Sequence, residues 1–467
     1  MITNVYYRPQ MYTGGYNPVV WSFLSDKYTK TDFVYVIDVY INQAVAYTYR
    51  LKQRPNPIGI GMVDLSSVLQ PFNNLTNYSV EEGWPLQFRN ADEIISSVFL
   101  KVGEEYIDNP ALNNTPQIYD GNGNIGEPAY TIYSSLNVGT SATVPVKILP
   151  AALPFNESQY NLSSTADYGF WADYIMDGNG KFLKRDSNKI DVQMRDHHTL
   201  AFINQWYQPS SPSTPSQVQL MKVDWTSATG GTGTILYQNT TVDGGGPAPT
   251  PNYTSVTESR QTDMITFRCG PKDIWPSGPE ISSYDVTAYY KDTATSATGP
   301  QAVASETVQF TVVNYCEDLY PVVRLSWLND LGGRDYYNFT AFYNKSTNSQ
   351  GDVYNQTQLR WGSTTPVALD TDADTTSNWQ RGGDKSFNKT VTSKISIQSD
   401  FITQDYVDFL GAIPESSSVW AYVGTDPIPY TVIIDSLDYT FTNIRQVKLA
   451  QASFDMTITK TQQKQNL

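Results

Sequence analysis

Apolar residues at every second position recur along this chain, and that spacing admits few folds. In TDFVYVIDVYIN, Phe33, Tyr35, Ile37, Val39 and Ile41 share one parity. Successive side chains of an extended strand point to opposite faces, so these five form one inward face. QAVAYTYRLKQRP follows as the hairpin partner. SVFLKVGEEY, HHTLAFINQWY, QVQLMKVDW, TILYQNTTV, DMITFRCG, YDVTAYY and ETVQFTVVN read as further short strands. YIMDGNGKFLK predicts a hairpin, Tyr174–Met176 and Lys181–Lys184 about a tight turn at Asp177–Gly180. The 33 tyrosines point the same way, because aromatic side chains favour pleated, half-buried surfaces.

Breaks in this pattern mark turns, helices and boundaries. In RPNPIGIGMVDLSSVLQPF, Pro55 and Pro57 block a helix, while Gly59 and Gly61 supply turn freedom. Asp64 is placed to cap a short helix through Leu69. SDFITQDYVDFLGAI predicts a helix capped by Thr403, with Tyr406, Val407 and Leu410 as its apolar stripe and Gly411 as a left-handed stop. Strands follow at SSVWAYVG, YTVIIDS and DYTFTN. Near the end, Val447 and Leu449 alternate in one phase, and Phe454, Met456 and Ile458 in the other, which predicts a β-bulge near Ala450–Ala452. The Pro- and Ser-rich QPSSPSTPSQ (Gln208–Gln217) cannot sit at the centre of a sheet. Three units result: an N-terminal β domain over 1–207, an immunoglobulin-like β-sandwich over 208–314, and a C-terminal β domain with one short helix over 315–467. The Cys–Trp–Cys core of antibody domains is missing, so the likeness of the central module is one of architecture. The expected fold class is mainly β, with several sandwich- or barrel-like domains and a few short helices.

The net charge of -15 argues against specific nucleic-acid binding, which relies on Lys and Arg at phosphates, and against an anionic membrane surface. Cys269 and Cys316 are too few for a disulfide framework and read as free thiols. MITNVYYRPQ lacks the basic and apolar regions of a secretory signal, and no run is apolar for long enough to cross a bilayer. The Asn-x-Ser/Thr triplets at Asn74, Asn156, Asn252 and Asn338 are expected by chance in a chain this rich in those residues.

No catalytic, cofactor or metal constellation emerges. His197 and His198 are adjacent, so on a strand they face opposite ways and cannot share an ion. DTDADTTSNWQR begins like a calcium loop at Asp370, Asp372 and Asp374, but Thr375 stands where glycine is needed and Arg381 where a bidentate Glu belongs. DGNGNIGE (Asp120–Glu127) reads as a turn. A hydrolytic triad needs a histidine, and neither a Gly-x-Ser-x-Gly elbow nor a phosphate loop is present.

RLSWLNDLGGRDYYNF is the most distinctive stretch. Val323, Leu325 and Trp327 enter as a strand, Asn329–Gly333 turns, and RDYYNFTAFY leaves as the partner. Arg334 and Asp335 read as a turn-side ion pair.

WLNDLGGRDYYNF resembles a hairpin signature of virion structural proteins of tailed bacteriophages, notably crAss-like and other Bacteroidetes or marine phages. NPVVW with RLKQRPNPIGIGMVDLSSVL resembles their opening. KVGEEY and GKFLKRDSNKIDVQMRDHHTLAFIN resemble their middle, and SDFITQDYVDFLGAIPESSSVWAY their end. The likeness lies in the order of these segments and spans most of the first and last regions. Such proteins often carry an aromatic residue where this chain has Arg334. The resemblance implies a non-enzymatic building block of a tail or neck ring, assembled in the bacterial host cytoplasm. Its partners would be copies of itself and neighbouring tail or neck proteins, with passing DNA touched only passively and no membrane. An acidic lumen would repel phosphates and let DNA slide. A receptor- or carbohydrate-binding fibre component is the alternative, and a virion-borne glycan hydrolase a third reading. The expected interface residues are Gly332, Gly333, Arg334, Tyr336 and Tyr337 in the hairpin, and Pro55, Asn56, Pro57 and Gly59 in the Pro-Gly turn. The loop Asp243–Asn252 is a further expected contact.

Overall fold

The structure, a computed structural model, describes residues 1–10, 12–42, 46–72, 88–90, 96–110, 115–133, 146–149, 151, 173–174, 176, 179–205, 218–238, 262–290, 302–314, 320–356, 383–424, 429–441 and 450–459. The fold is mainly β. Its first part runs β1 (Ile2–Tyr7), β2 (Tyr12–Gly14), β3 (Val20–Ser25), β4 (Thr31–Ile41), β5 (Tyr49–Gln53), β6 (Ile60–Asp64), α1 (Ser66–Leu69), β7 (Phe88–Asn90), β8 (Ser96–Ile107), β9 (Gln117–Tyr119), β10 (Tyr130–Ile132) and β11 (Val146–Leu149). A three-stranded sheet, β1-β3-β6, faces a larger one with the path β2-β11-β8-β4-β5. Phe33, Tyr35, Ile37, Val39 and Ile41 enter one core with Trp21, Phe23 and Val63, as their alternation requires. The opposite face of β4 is covered too: Asp38 is buried under a bidentate Arg50 at 2.7 and 2.8 Å. Asp64 meets the start of α1, accepting from the Ser66 N–H at 2.9 Å.

The central strands are β12 (Lys189–Val192), β13 (Thr199–Gln205), β14 (Val218–Ser227), β15 (Thr232–Gln238), β16 (Thr262–Arg268), β17 (Ile281–Tyr290) and β18 (Ala302–Val312), with α2 (Pro271–Ile274) after β16. They form two sheets, β12-β18-β17-β14-β15 and β13-β16-β7. Val223, Val286 and Phe310 of one share a core with Leu200, Phe202 and Phe267 of the other. This is a sandwich, although its β12–β18 pair is parallel. β12 and β13 precede residue 208, yet they pair with β18 and β16 beyond it. Of the hairpin expected over Tyr174–Lys184, Ile175 and the turn residues Asp177 and Gly178 lie outside the described residues, and none of the described ones belongs to a named strand. Gly180 makes an isolated bridge to Ser305, and Leu183 N–H reaches Ala201 O at 2.8 Å.

The last part contains β19 (Val323–Leu328), β20 (Arg334–Phe339), β21 (Phe342–Gln356), β22 (Gly383–Gln398), α3 (Gln404–Gly411), β23 (Val419–Val423), β24 (Tyr430–Phe441) and β25 (Ala450–Ile458). They make one seven-stranded sheet, β20-β19-β23-β24-β25-β22-β21. β20 and β21 stand at its two ends, yet Phe339 and Phe342 are only three positions apart. A flat sheet of this size would separate its edges by about 29 Å, six strand spacings. Two linking residues reach roughly 10 Å. The sheet must therefore curl, and Phe339 meets Phe454 of β25 at 5.5 Å inside the curl. Val407 and Leu410 of α3 fill the same core.

Three local expectations change. Gly411 lies within α3 and Ala412 continues in right-handed geometry, so glycine does not stop this helix. The strands read separately in YTVIIDS and DYTFTN are one, β24. Along β25, Ala450, Ala452, Phe454, Met456 and Ile458 are buried in a single phase. The register shift falls on β24 instead, between Ile434 and Ser436. Val447 and Leu449, which suggested the bulge near Ala450–Ala452, lie outside the described residues.

Candidate functional site: a clamped hairpin and a projecting ribbon

The β19–β20 hairpin has the expected form. Asn329 Oδ1 accepts from the N–H groups of Leu331 and Gly333, both at 3.0 Å, and Gly332 takes φ 87°. Its surroundings differ from expectation, for the tip is buried inside the chain. Leu183 O lies where a Cβ on Gly333 would stand, 1.7 Å away, and accepts from Asn329 Nδ2 at 3.0 Å. The turn glycine is thus required by close backbone approach, and only Gly332 by its φ.

Arg334 and Asp335 do not pair with each other. As strand neighbours they face opposite ways. Arg334 donates from Nε to Ser326 Oγ at 2.8 Å, and its guanidinium lies 4.5 Å from the centre of the Trp420 ring. A flat guanidinium can lie against an aromatic ring, so this arginine fills a site beside Trp420 while its donors are satisfied by Ser326. Asp335 accepts the Arg185 N–H, at 3.1 and 3.3 Å to its two oxygens. Burial and the neighbouring Asp186 push its carboxyl up to about 7.

Arg324, buried on β19, ties the hairpin to the central sandwich. It donates to Asp196 Oδ2 at 2.9 Å, to Asn338 Oδ1 at 3.0 Å and to the His197 carbonyl at 3.2 Å. It also meets His198 Nδ1 at 2.9 Å. Arginine has no acceptor, so that nitrogen carries the lone pair and His198 is the neutral Nε2–H tautomer. Burial first, and Arg324 second, hold His198 well below the ordinary imidazole range. His197 Nδ1 lies 2.7 Å from Asp273, which also accepts from Arg268 at 3.0 Å. Tyr336 is buried beneath Arg324, its hydroxyl 2.8 Å from Thr199 Oγ1. Tyr337 packs on Phe339 at 4.9 Å. Asn338 is buried in this network, which removes it as a glycan acceptor.

The Pro-Gly turn stays at the surface. Asn56 Oδ1 accepts from Ile58 and Ile60 N–H at 3.1 and 2.8 Å, and Gly59 adopts φ 88° over the Tyr28 ring. Pro57 is exposed, while Gly59 is buried and receives the Tyr35 hydroxyl on its carbonyl at 2.6 Å. Ile58 and Met62 beside it are 65% and 60% exposed, an apolar tip facing outward.

A feature without a distinct sequence signal is the ribbon made by β21 and β22. Their ladder runs from Phe342↔Gln398 to Gln356↔Gly383, but β22 meets β25 only over Ser393–Gln398. From Asn348 to Gln356 the pair therefore leaves the sheet, for about 30 Å at the usual strand rise. Side chains from Asn344 to Val353 are exposed on both faces. Strand length alone was legible nowhere here, because NKSTNSQGDVYNQ has no apolar alternation.

Among the described residues, no group of three His, Cys, Asp or Glu could hold a metal ion. Asp120 organises the DGNGNIGE turn by accepting from the Asn122 and Asn124 N–H groups at 2.8 and 3.0 Å. Cys269 is a buried free thiol. Cys316, the calcium-like stretch at Asp370–Arg381 and the loop Asp243–Asn252 lie outside the described residues. Among the described residues, no helix is long and apolar enough to cross a membrane.

No protein-family model matches the chain, and no curated protein matches it. Among the solved structures similar to part of it are two assemblies. One, the virion of a native gene transfer agent particle, has a chain 14% identical over 31% of this chain and 95% of that one, at a TM-score of 0.20. The other, the tail of an empty gene transfer agent particle computed with helical refinement in C6 symmetry, has one 13% identical over 32% of this chain and 96% of that one, also at 0.20. So low a TM-score carries neither fold nor role across.

Proposed function

We propose that this chain is a non-enzymatic structural component of a tailed-phage virion, one of several copies that close into a ring of the tail or neck around the DNA conduit. The projecting β21–β22 ribbon carries this reading. A two-stranded ribbon is marginally stable alone in water. Among the described residues this one has two open edges beyond Thr347 and Ser393, and Asn344–Val353 are exposed on both faces, as an element finished by a neighbour would be. Contacts of one surface with a different surface on the next copy close into rings. The buried joint between sandwich and curled sheet supplies the stiffness such a ring needs. The excess of acidic residues suits a wall past which DNA slides. Neighbouring tail or neck proteins are the further partners, and assembly takes place in the bacterial cytoplasm.

The test uses the purified chain and a variant in which residues 349–391 are replaced by Asn-Gly, a two-residue hairpin turn that closes the Asn348↔Thr392 pair. Light scattering and negative-stain microscopy should show rings for the first and folded monomers for the second. A parent chain that stays monomeric at every concentration would refute the proposal.

A further inference from the structure

Residues 182–188 cross from the central sandwich to the β19–β20 hairpin and seat against its tip. Arg185 N–H meets the Asp335 carboxyl, Arg185 Nε meets Asp330 Oδ1 at 2.6 Å, and Leu183 O receives Asn329. Asp335 is 2% exposed and accepts the Arg185 backbone N–H, and among the described residues no cation is bonded to it. The next carboxyl along the segment, Asp186, lies close enough to repel it. Asp186 is half-buried, and a like charge beside a buried carboxyl makes ionising both costly, so the pair favours holding one proton.

We propose that this carboxyl pair makes the joint proton-sensitive: a proton at Asp335 tightens the seating of residues 182–188 on the hairpin, and its loss loosens it. The cations nearby are committed elsewhere. Lys184 Nζ donates to Asp186 O, Ser187 O and Asn188 Oδ1 at 2.8, 2.8 and 2.7 Å. Arg185 holds Asp330, and Arg334 points to the opposite face of β20. From β18, Glu306 faces the segment through Asn188 Nδ2 at 2.8 Å. Asp191 of β12 and Tyr406 of α3 act on Asp186 at longer range, as does Arg324. His198 lies beyond Arg324.

Burial, then Asp186, raises Asp335 to about 7, and burial raises Asp186 to about 6. Both lie above the ordinary carboxyl value of about 3.9. A carboxyl raised by folding favours the protonated folded form, so its contribution is complete at low pH and is lost as pH rises through about 7.

Hydrogen exchange of peptides covering 181–189 and 329–339, corrected for intrinsic rates, reads the opening of the joint. Its opening constant relative to Asp335→Asn should rise on the order of tenfold from pH 6 to pH 8. Taking the ratio cancels the opposing titration of His198, which both proteins share. Asp186→Asn, which removes the repelling charge, should move the midpoint of the rise to lower pH, and this second variant carries the test if Asp335→Asn does not fold. A flat ratio, or an unmoved midpoint in Asp186→Asn, would overturn the proposal.

Discussion

Replacing Gly333 by alanine tests how the hairpin is held. The new Cβ would stand 1.7 Å from Leu183 O, where ordinary contact begins near 3.4 Å, so that carbonyl must retreat by about half the ordinary distance. Leu183 cannot move alone, because its N–H is bonded to Ala201 O at 2.8 Å and its oxygen to Asn329 at 3.0 Å. Two hydrogen bonds at about 1 kcal/mol each are lost. Overpacking adds about 1–3 kcal/mol. The total, about 3–5 kcal/mol, corresponds to a fall in Tm of roughly 10 °C for a domain of this size. Gly332→Asn is the control: the site needs φ 87°, which asparagine tolerates, so its loss should be about 1 kcal/mol or less. Calorimetry on both variants separates the two glycines. A Gly333→Ala protein that melts within a degree of the parent would refute the close approach of Leu183.

The buried network yields further expectations. Arg324→Ala leaves Asp196 buried without its cation and should cost about 3–5 kcal/mol, measured by denaturant unfolding. Asn56→Ala removes the acceptor for two N–H groups of an exposed turn and should cost about 1–2 kcal/mol, visible as faster proteolysis near Ile58 with the rest of the fold intact. Met62→Asp should leave the melting curve nearly unchanged, since Met62 is 60% exposed, and would weaken assembly if that face is a subunit contact; light scattering decides. His198 is held neutral, so the unfolded chain alone gains its proton below the ordinary value of about 6.5, and stability should fall as pH drops through that value in the Asp335→Asn background.

Strands and turns were legible because their signals are local. The alternation in β4, the Asn-Asp-x-Gly-Gly turn and the apolar positions of α3 each state their structure within a dozen residues. The destination of the hairpin was not legible. Arg324, Arg334 and Asp335 carry the charges expected of solvent or of a turn, yet their partners Asp196, Trp420 and Arg185 lie far away in the chain. Nothing within RLSWLNDLGGRDYYNF announces that both of its faces are covered. Past DGNGKF, too, the partners are distant: Gly180 bridges Ser305 and Leu183 meets Ala201, contacts that no local pattern states. Of the expected interface residues, those in the hairpin are spent on contacts within the chain, and Asn56 and Pro57 in the Pro-Gly turn remain at the surface. The ribbon was not legible because NKSTNSQGDVYNQ in β21 has no apolar alternation, which leaves no periodicity to read.

The most direct test of the central claim is gold-labelled antibody against this protein on purified phage particles, viewed by negative-stain electron microscopy. The expected result is label around the neck or tail shaft. Label confined to fibre tips, or none on intact and opened particles, would contradict the account.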